Sequence, residues 1–388
     1  MRGKSDSPSL MFYAIDVEDR IRPDHPLRPI KAAVDGILEG VGPLFDAAYA
    51  QTGRPSVPPE VLLKALLLQC LYSVRSEKQL VERIDTDLLF RWFCGLDPAQ
   101  AVFDATAFTH NRPRLDRHGV TAAFFGAVVA RALRAGLCSD EHFSVDGTLI
   151  ESYASIKSFK PIAPAGDEDG GDGSAGNAFK PRNAQVDFHG QRRSNQTHRS
   201  TTDPEARLYR KGDGQSAKLA HMGHALSENR HGLIMAVHVS EAGGAAECAA
   251  ALTMLDDLND RQRVRPRTLG ADKGYDCGPW MLALEERGVT PHAAMRRSEG
   301  GPVGGRGRRE NKDRPPIAAR QRMADRLADP GYRLSQRARK KLEEGFGWCK
   351  TIAGLARVRL VGRWKITQQF ELAAAAYNLV RMRKLLPA

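Results

Sequence analysis

The stretch "HFSVDGTLIESY" at 142–153 alternates apolar and polar residues as a β-strand does, yet it carries a carboxylate, Asp146, in its middle. Apolar side chains such as Phe143, Val145 and Leu149 would line one face. The opposite, polar face comprises His142, Ser144, Asp146 and Thr148. A half-buried strand with a wet outer face explains this alternation, and an Asp before a Gly is also a common turn signal. The stretch alone therefore leaves a structural and a functional interpretation of Asp146 open.

Predicted elements on both sides of this strand define a mixed α/β fold. Three short helices are predicted within 58–96, and a buried helix at 121–137 leads directly into the strand. The elements that follow it are a β-hairpin at 218–242, a helix at 247–260, a strand at 267–272, a helix at 278–288, a strand at 289–295 and helices at 335–352 and 370–386. A hairpin that precedes alternating strands and helices predicts a mixed sheet flanked by helices. This is the element order of a ribonuclease H-like domain.

The same pattern predicts the domain organisation. We expect an all-helical N-terminal domain at 1–115 and a ribonuclease H-like domain at 116–388. Two segments of the second domain, 160–215 and 298–330, are rich in Gly, Pro, Arg and short polar residues and have little apolar periodicity. They are predicted to be flexible insertions.

Composition and charge indicate a cytoplasmic protein with a polyanionic partner. The 388 residues contain no apolar run near the roughly 18 needed to span a bilayer, and the N-terminus is charged where a signal peptide would be apolar. Six widely separated cysteines suggest neither a zinc site nor a disulfide framework. The formal net charge is +12, and 296–350 alone holds 16 Lys or Arg against 7 Asp or Glu. A solvated charged surface is the simpler explanation of any one basic run, but this concentration favours nucleic acid.

Three carboxylates follow a pattern that phosphodiester chemistry requires. Asp146 and Asp272 lie in or at the end of two apolar strands, and reactive groups gather at strand ends in open α/β sheets. The helix at 335–352 offers Glu343 or Glu344 as a third. Carboxylates that hold two divalent cations can stabilise both the attacking and the leaving oxygen. Each group also has a structural explanation, a strand-ending turn for Asp272 and a surface pair with Arg339 for Glu343.

Long stretches of the chain resemble the DDE transposases of bacterial insertion sequences, of the large IS "five" type. The resemblance rests on four stretches in the order in which they occur in that family: "FSVDGTLIESYASIKSFKP" at 143–161, "STTDPEARLYRKGDGQSAKLAHMGHALSENRHGLI" at 200–234, "ADKGYD" at 271–276 and "RARKKLEEGFGWCKTIAGLARVRLVG" at 337–362. The segment 58–96 is similar to the family's N-terminal domain.

The resemblance implies the residues of the active site. Asp146, Asp272 and Glu343 match the three carboxylates of the family, which would hold two Mg²⁺ or Mn²⁺ ions. The family's Tyr-x2-Arg-x3-Glu-x6-Lys signature is present at Arg339, Glu343 and Lys350, but its tyrosine position is occupied by Gln336. Such an enzyme cuts DNA at the ends of its element and transfers the 3′-hydroxyl ends into target DNA.

The resemblance also implies partners. We expect double-stranded DNA, both terminal inverted repeats and target, to contact Arg339, Lys350, Arg337, Lys340, Arg296 and Arg297. Pairing two DNA ends predicts a homodimer or a larger assembly, associated with the bacterial nucleoid, in which the helical N-terminal domain binds DNA ends or dimerises. Two alternatives stay open: a DNA-binding regulator that has lost catalysis, and a metal-dependent nuclease of the same fold that does not join strands.

Overall fold

The computed structural model describes residues 16–386, except 51, 54, 163–185, 189–190, 211–215, 245 and 296–313. Residues 186–188 and 191–192 are described through their backbone only. Within these ranges, every helix is too short or too polar to cross a lipid bilayer. Arg296 and Arg297, and large parts of both predicted insertions, lie outside the described residues.

Helices precede the sheet in the chain. They are α1 (Val17–Arg20), α2 (Leu27–Ala48), α3 (Pro59–Leu71), α4 (Glu77–Thr86), α5 (Leu88–Cys94), α6 (Thr106–Arg117) and α7 (Val120–Arg134). The three helices predicted within 58–96 are confirmed as α3, α4 and α5. α4 and α5 begin at side-chain caps, since the Ser76 hydroxyl accepts the Gln79 N–H and the Asp87 carboxylate accepts the Leu89 N–H. α3 instead begins with Pro59 as its first residue.

The main sheet is mixed and has the ribonuclease H-like order that the sequence predicts. The strands of the described chain are β1 (His142–Ser152), β2 (Phe159–Pro161), β3 (Val186–Phe188), β4 (Gln191–Arg193), β5 (His198–Ser200), β6 (Arg207–Tyr209), β7 (Lys218–Glu228), β8 (Ile234–Glu241), β9 (Thr268–Ala271), β10 (Thr290–Ala293) and β11 (Arg357–Val358). β7 lies antiparallel between β1 and β8, while β9 is parallel to both β1 and β10. The spatial order β8-β7-β1-β9-β10 makes β1 the central strand.

Because β1 is the central strand, the prediction of one buried face and one solvent-exposed face is wrong. Ser144 and Thr148, expected on a wet outer face, are buried, whereas Leu149 is only partly buried. Ser144 is accommodated because its hydroxyl donates a 2.8 Å hydrogen bond to Asn229 in the β7–β8 turn. Helices cover both faces of the strand, so polarity along β1 does not mark its solvent side.

The helices that follow the hairpin cover the sheet. They are α8 (Ala246–Gln262), α9 (Gly278–Glu286), α10 (Pro315–Asp325), α11 (Pro330–Ala338), α12 (Lys340–Thr351) and α13 (Arg363–Leu385). The prediction of an irregular segment over 298–330 is wrong for its last part, where Pro315 and Pro316 begin α10. The single helix predicted at 335–352 is divided at Arg339 into α11 and α12. Short strands also occur within 160–215.

One hydrophobic core extends from the N-terminal helices into the sheet. Buried residues from α2 to α7 form a continuous cluster with residues of β1, β7, β8 and the C-terminal helices. α13 is buried on nearly all sides and packs against α2, α3 and α7 as well as β8. The boundary at 115 and 116 stays a prediction, because the C-terminal helix belongs to the packing of both regions.

Candidate active site on strands β1 and β9

Asp146 lies in the middle of β1 with its side chain 19% exposed. Its Oδ1 accepts the Gly147 N–H at 2.8 Å, and its Oδ2 accepts from the Arg339 guanidinium at 2.9 Å. Burial raises the pKa of Asp146 above its ordinary value; the Gly147 N–H and Arg339 oppose this, while the charges of Asp272 and Glu343 add to it. The raised pKa of Asp146 is therefore mainly an effect of burial, which its two hydrogen bonds do not offset.

Asp272 follows β9 directly and lies beside Asp146. Ser144 on β1 pairs with Gly270 on the parallel strand β9, and each aspartate is two residues further along its strand. The Asp272 carboxylate is held by the Gly274 N–H at 2.7 Å in the short turn after the strand. Two neighbouring parallel strands thus present their carboxylates at the same level of the sheet.

Glu343 approaches the site from α12. Its side chain is 58% exposed, and Oε1 lies 3.8 Å from the Arg339 guanidinium, which also binds Asp146. Arg339 thus connects the carboxylate on the sheet to the one on the helix. The neighbouring Glu344 instead pairs with Arg381 of α13 at 3.0 Å. Of the two glutamates that the sequence offers, only Glu343 is linked through Arg339 to Asp146.

Glu247, in the first turn of α8, is a fourth carboxylate that the sequence analysis missed. A Cβ atom placed on Gly147 would lie 3.0 Å from Glu247 Oε1, and one placed on Gly274 would lie 2.9 Å from both Glu247 Oε2 and Asp272 Oδ1. Burial, followed by the charges of Glu247, Asp146 and Asp272, raises the pKa of Tyr275 well above its ordinary value. The only sequence signal is an acidic residue at the start of the helix after the hairpin, which is common at helix N-termini.

Gln336 occupies the position where the family has a tyrosine, and it braces the strand ends. Its side-chain amide donates to the Ala271 carbonyl at 3.2 Å and to the His292 carbonyl. Ala271 immediately precedes Asp272, and His292 belongs to the next strand. Gln336 therefore ties α11 to the ends of β9 and β10, a contact that sequence reasoning could not assign.

The basic residues predicted to bind DNA differ in their placement. Arg337 and Lys340 are exposed where α11 meets α12, next to the partly buried Arg339. Lys350, the penultimate residue of α12, is partly buried in a groove that Glu151 and Lys218 also line. It lies away from the exposed pair. The remaining two of the six, Arg296 and Arg297, are outside the described residues.

The side chains of this site are of the type that binds divalent cations, but their positions in the structure do not form a complete metal site. Mg²⁺ and Mn²⁺ prefer carboxylate oxygens, which this site supplies. The missing side chains of Gly147 and Gly274 leave space that a Cβ would fill among the carboxylate oxygens. However, no three His, Cys, Asp or Glu side chains of the described chain lie close enough together to form a complete metal site. Arg339 instead occupies one oxygen of Asp146.

Two family models match the chain. One, described as "Transposase domain (DUF772)", matches residues 15–114, and the other, "Transposase DDE domain", matches residues 189–379. The first corresponds closely to the predicted N-terminal domain. The second includes Asp272 and Glu343 and begins after Asp146. These matches do not distinguish the "five" type from other insertion sequences, so that narrower assignment stays a prediction, and they do not favour the regulator or nuclease alternatives.

Comparison with solved structures found transposase complexes at low identity. A piggyBac transposase synaptic complex with hairpin DNA is 9% identical, with 93% of this chain and 75% of that chain covered and a TM-score of 0.40. The Mos1 strand transfer complex is 15% identical, covers 82% and 84% of the two chains and has a TM-score of 0.20. A Mos1 mariner paired end complex with Mn is 13% identical over 86% and 93%, with a TM-score of 0.19. No curated protein matches the sequence.

Proposed function

We propose, from the premise that the chain belongs to the DDE transposases, that Asp146, Asp272 and Glu343 form its catalytic site and act on the terminal inverted repeats of an insertion sequence. The observation that carries this proposal is the convergence of three elements. β1 and β9 supply aspartates at the same level, and Arg339 bonds to Asp146 while it lies 3.8 Å from Glu343. Such a site would cut DNA at the element ends and join them to target DNA.

Divalent cations, two Mg²⁺ or Mn²⁺ ions, would be held by the same three carboxylates. When bound, they would supply charge stabilisation at the attacking and leaving oxygens of phosphoryl transfer. Asp146 and Asp272 are suited to this because each is fixed by a backbone N–H, from Gly147 and Gly274. Glu343, on an exposed helical surface, would complete the donor set.

The protein's own cations would position the DNA. In the structure the Arg339 guanidinium donates a hydrogen bond to Asp146, and a guanidinium can also form bidentate bonds to phosphate. Arg337 and Lys340 are exposed beside it and would contact the DNA backbone. Lys350 would contact DNA along its groove, and Arg296 and Arg297 retain this role as a proposal from the sequence.

Assembly and location follow from the task of joining two ends. Two DNA ends must be brought together, which favours a homodimer or a larger complex on the DNA of the bacterial nucleoid. The helical region that ends near residue 115 would recognise the terminal repeats or mediate dimerisation.

The test uses purified protein, linear DNA carrying the inverted repeats that flank its gene, a plasmid target and Mg²⁺ or Mn²⁺. We expect metal-dependent nicking at the repeat boundary and joined products. Asp146→Asn, Asp272→Asn and Glu343→Gln should each lower both by at least about 10³-fold while retaining DNA binding. Glu344→Gln, one residue along α12 and paired with Arg381, is the matched control and should keep wild-type activity.

Three results would contradict the proposal. Wild-type cutting by any of the three carboxylate variants would remove that residue from the site. DNA binding without metal-dependent cutting would support the regulator alternative. Cutting without joined products would support the nuclease.

A further inference from the structure

A groove beside the end of β1 is lined by two regions that are far apart in the sequence. Its volume is about 750 Å³. Some lining residues come from α3 and the turn to α4, and others from 351–360, the segment that contains β11. We call it the α3–β11 groove. A ligand bound there would contact the N-terminal helices and the catalytic region at the same time.

The turn between α3 and α4 is attached to the other region of this groove. The Ser73 hydroxyl donates a 2.8 Å hydrogen bond to the carbonyl of Ile352, the residue after α12. Ser73 has a left-handed backbone conformation, with φ of 53°, which residues other than glycine rarely adopt. Surrounding contacts must fix such a conformation. The same turn places the exposed Arg75 at the groove.

Positive charge predominates in the lining of the α3–β11 groove. The charged residues of the lining are Arg75, Glu77, Arg112, Arg357 and Arg359. Arg112 and Glu77 neutralise each other, since they form an ion pair at 2.5 Å with the arginine side chain only 8% exposed. Arg75 and Arg359 are exposed, and neither forms an ion pair with a carboxylate of the described chain. The groove therefore attracts anions.

Tyr153, the residue after β1, orients the two arginines of the β11 segment. Its side chain is 52% exposed, and the guanidinium carbons of Arg357 and Arg359 lie 5.3 Å and 5.9 Å from the centre of its ring. An aromatic ring attracts a guanidinium without neutralising its charge. Glu151 lies 3.8 Å from Arg357 but is closer to Lys218, at 2.8 Å. Both guanidiniums thus keep N–H donors for a ligand.

The α3–β11 groove lies within reach of DNA bound at the proposed catalytic carboxylates. Glu343 and Thr351 are eight residues apart in α12, which is about 12 Å along a helix. Asp146 and Ser152 are six residues apart in β1, which is roughly 20 Å along a strand. At about 3.4 Å per base pair, these lengths correspond to about four to six base pairs of duplex. The groove also adjoins the one that contains Lys350.

From this geometry we propose that the α3–β11 groove binds the phosphate backbone of the terminal repeat, about four to six base pairs from the bond that is cut. Arg75, Arg357 and Arg359 contact the phosphates, and Tyr153 positions the last two arginines. The inference rests on the proposed function and adds to it a DNA surface made by both regions of the chain. The repeat is the occupant because flanking DNA is released by the cut, whereas the repeat must stay bound until it is joined.

A solvated charged surface is the alternative explanation of these arginines. Each cation that neutralises a DNA phosphate releases a counterion and contributes about 0.9 to the slope of log affinity against log salt concentration. Loss of two such contacts should lower that slope by about two. If the arginines are merely solvated, their loss should have no more effect than the loss of two exposed arginines elsewhere.

The experiment measures binding of the full chain, without divalent metal, to a labelled duplex that carries the terminal repeat and its flank, over a series of salt concentrations. We expect the double variant Arg75→Ala with Arg359→Ala to bind about tenfold or more weakly and to show the reduced slope. Arg117→Ala with Arg134→Ala removes the same charge from exposed positions on α6 and α7 and is the matched control. It should bind as wild type. Thermal unfolding confirms that each variant is folded.

Two further measurements test the role of Tyr153 and the position of the DNA. Tyr153→Phe keeps the ring and should bind as wild type, whereas Tyr153→Ala should bind more weakly although it removes no charge. Hydroxyl-radical footprinting should show protection about four to six base pairs inside the repeat with the wild-type protein. This protection should be lost with the double variant of Arg75 and Arg359.

The outcomes separate failure of this inference from failure of the proposed function. Wild-type affinity and slope in the double variant would overturn the inference and leave the proposed function to its own test by DNA cutting. An equal loss in the control variant would favour the solvated surface. Protection on the flanking side alone would overturn the assignment to the repeat. A wild-type protein that does not bind repeat DNA would overturn both proposals.

Discussion

Two aspartates in the same sheet region differ in the direction of their pKa shifts. Asp203, fully buried, accepts the Ser152 hydroxyl at 2.7 Å and pairs with His221 Nε2 at 2.9 Å. Burial alone would raise its pKa, but the hydrogen bonds from His221 and Ser152 hold the pKa below its ordinary value. Burial raises the pKa of Asp146, and its two hydrogen bonds do not reverse the shift.

The contrast separates a structural polar cluster, around Asp203, from the proposed active site around Asp146. β1 contributes to both, Ser152 at one end and Asp146 in the middle, and β7 contributes a histidine to each region. In the Asp203 cluster the ionised carboxylate is stabilised by its neighbours. At Asp146 burial opposes ionisation, the charges of Asp272 and Glu343 add to this effect, and a bound cation would favour the ionised form.

The largest expected effect is on stability, and the two aspartates should respond with opposite signs. Asp203→Ala leaves His221 and Ser152 without their buried partner, and each lost bond costs about 1–3 kcal/mol. Asp146→Asn removes a charge that folding disfavours and should leave the free energy of unfolding unchanged or higher. Denaturant unfolding of both variants measures this. Equal destabilisation would remove the distinction between the clusters.

A smaller effect, on metal affinity, is expected when the space between Asp272 and Glu247 is filled. Gly274→Ala would place a Cβ 2.9 Å from two carboxylate oxygens, both at the ends of movable side chains. The oxygens should shift, so Mn²⁺ affinity should fall about tenfold with little loss of stability. Gly40→Ala on α2, where a Cβ would meet nothing within 4 Å, is the control. Unchanged affinity in Gly274→Ala would show that these oxygens do not bind the metal.

The smallest effect concerns pH. The folded-state pKa of Asp203 is lowered, so its contribution to stability is present above the unfolded value of about 3.9 and is lost as the pH falls through the folded value. The stability difference between wild type and Asp203→Asn should therefore shrink in acid. Asp146 has a raised folded pKa, so its destabilising charge is relieved as the pH falls towards about 3.9.

Unfolding free energies measured from pH 7 to pH 3 test this comparison. Any excess in the unfolding free energy of Asp146→Asn over wild type should also diminish over that range. The two variants differ in sign, because Asp203→Asn is less stable than wild type at pH 7. A difference for Asp203→Asn that grows as the pH falls would contradict the assigned direction of its pKa shift.

Periodicity predicted most of the elements because their signals are local. The strand at 142–153, the hairpin and the helices within 58–96 depend on alternation, turn residues and caps that lie within a few positions of each other. The order of these elements was enough to predict the sheet. The burial of Ser144 was not predictable, because it depends on Asn229 and on a helix covering that face.

Contacts distant in sequence account for what the sequence did not reveal in the site. Asp146, Asp272 and Glu343 could be proposed from a family pattern, but the bond from Arg339 to Asp146 spans 193 positions. Glu247 has an ordinary helix-start signal, and only the fold brings it against Gly147 and Gly274. The division of the helix at Arg339 likewise has no marker such as proline or glycine.

The most direct test of the central claim is the location of Mn²⁺ in crystals of the protein, determined from its anomalous scattering. We predict a peak contacted by carboxylate oxygens of Asp146 and Asp272, with Arg339 displaced from Asp146. A structure at saturating Mn²⁺ in which Arg339 stays bonded to Asp146, and the metal is bound elsewhere or is absent, would contradict the proposed cation site.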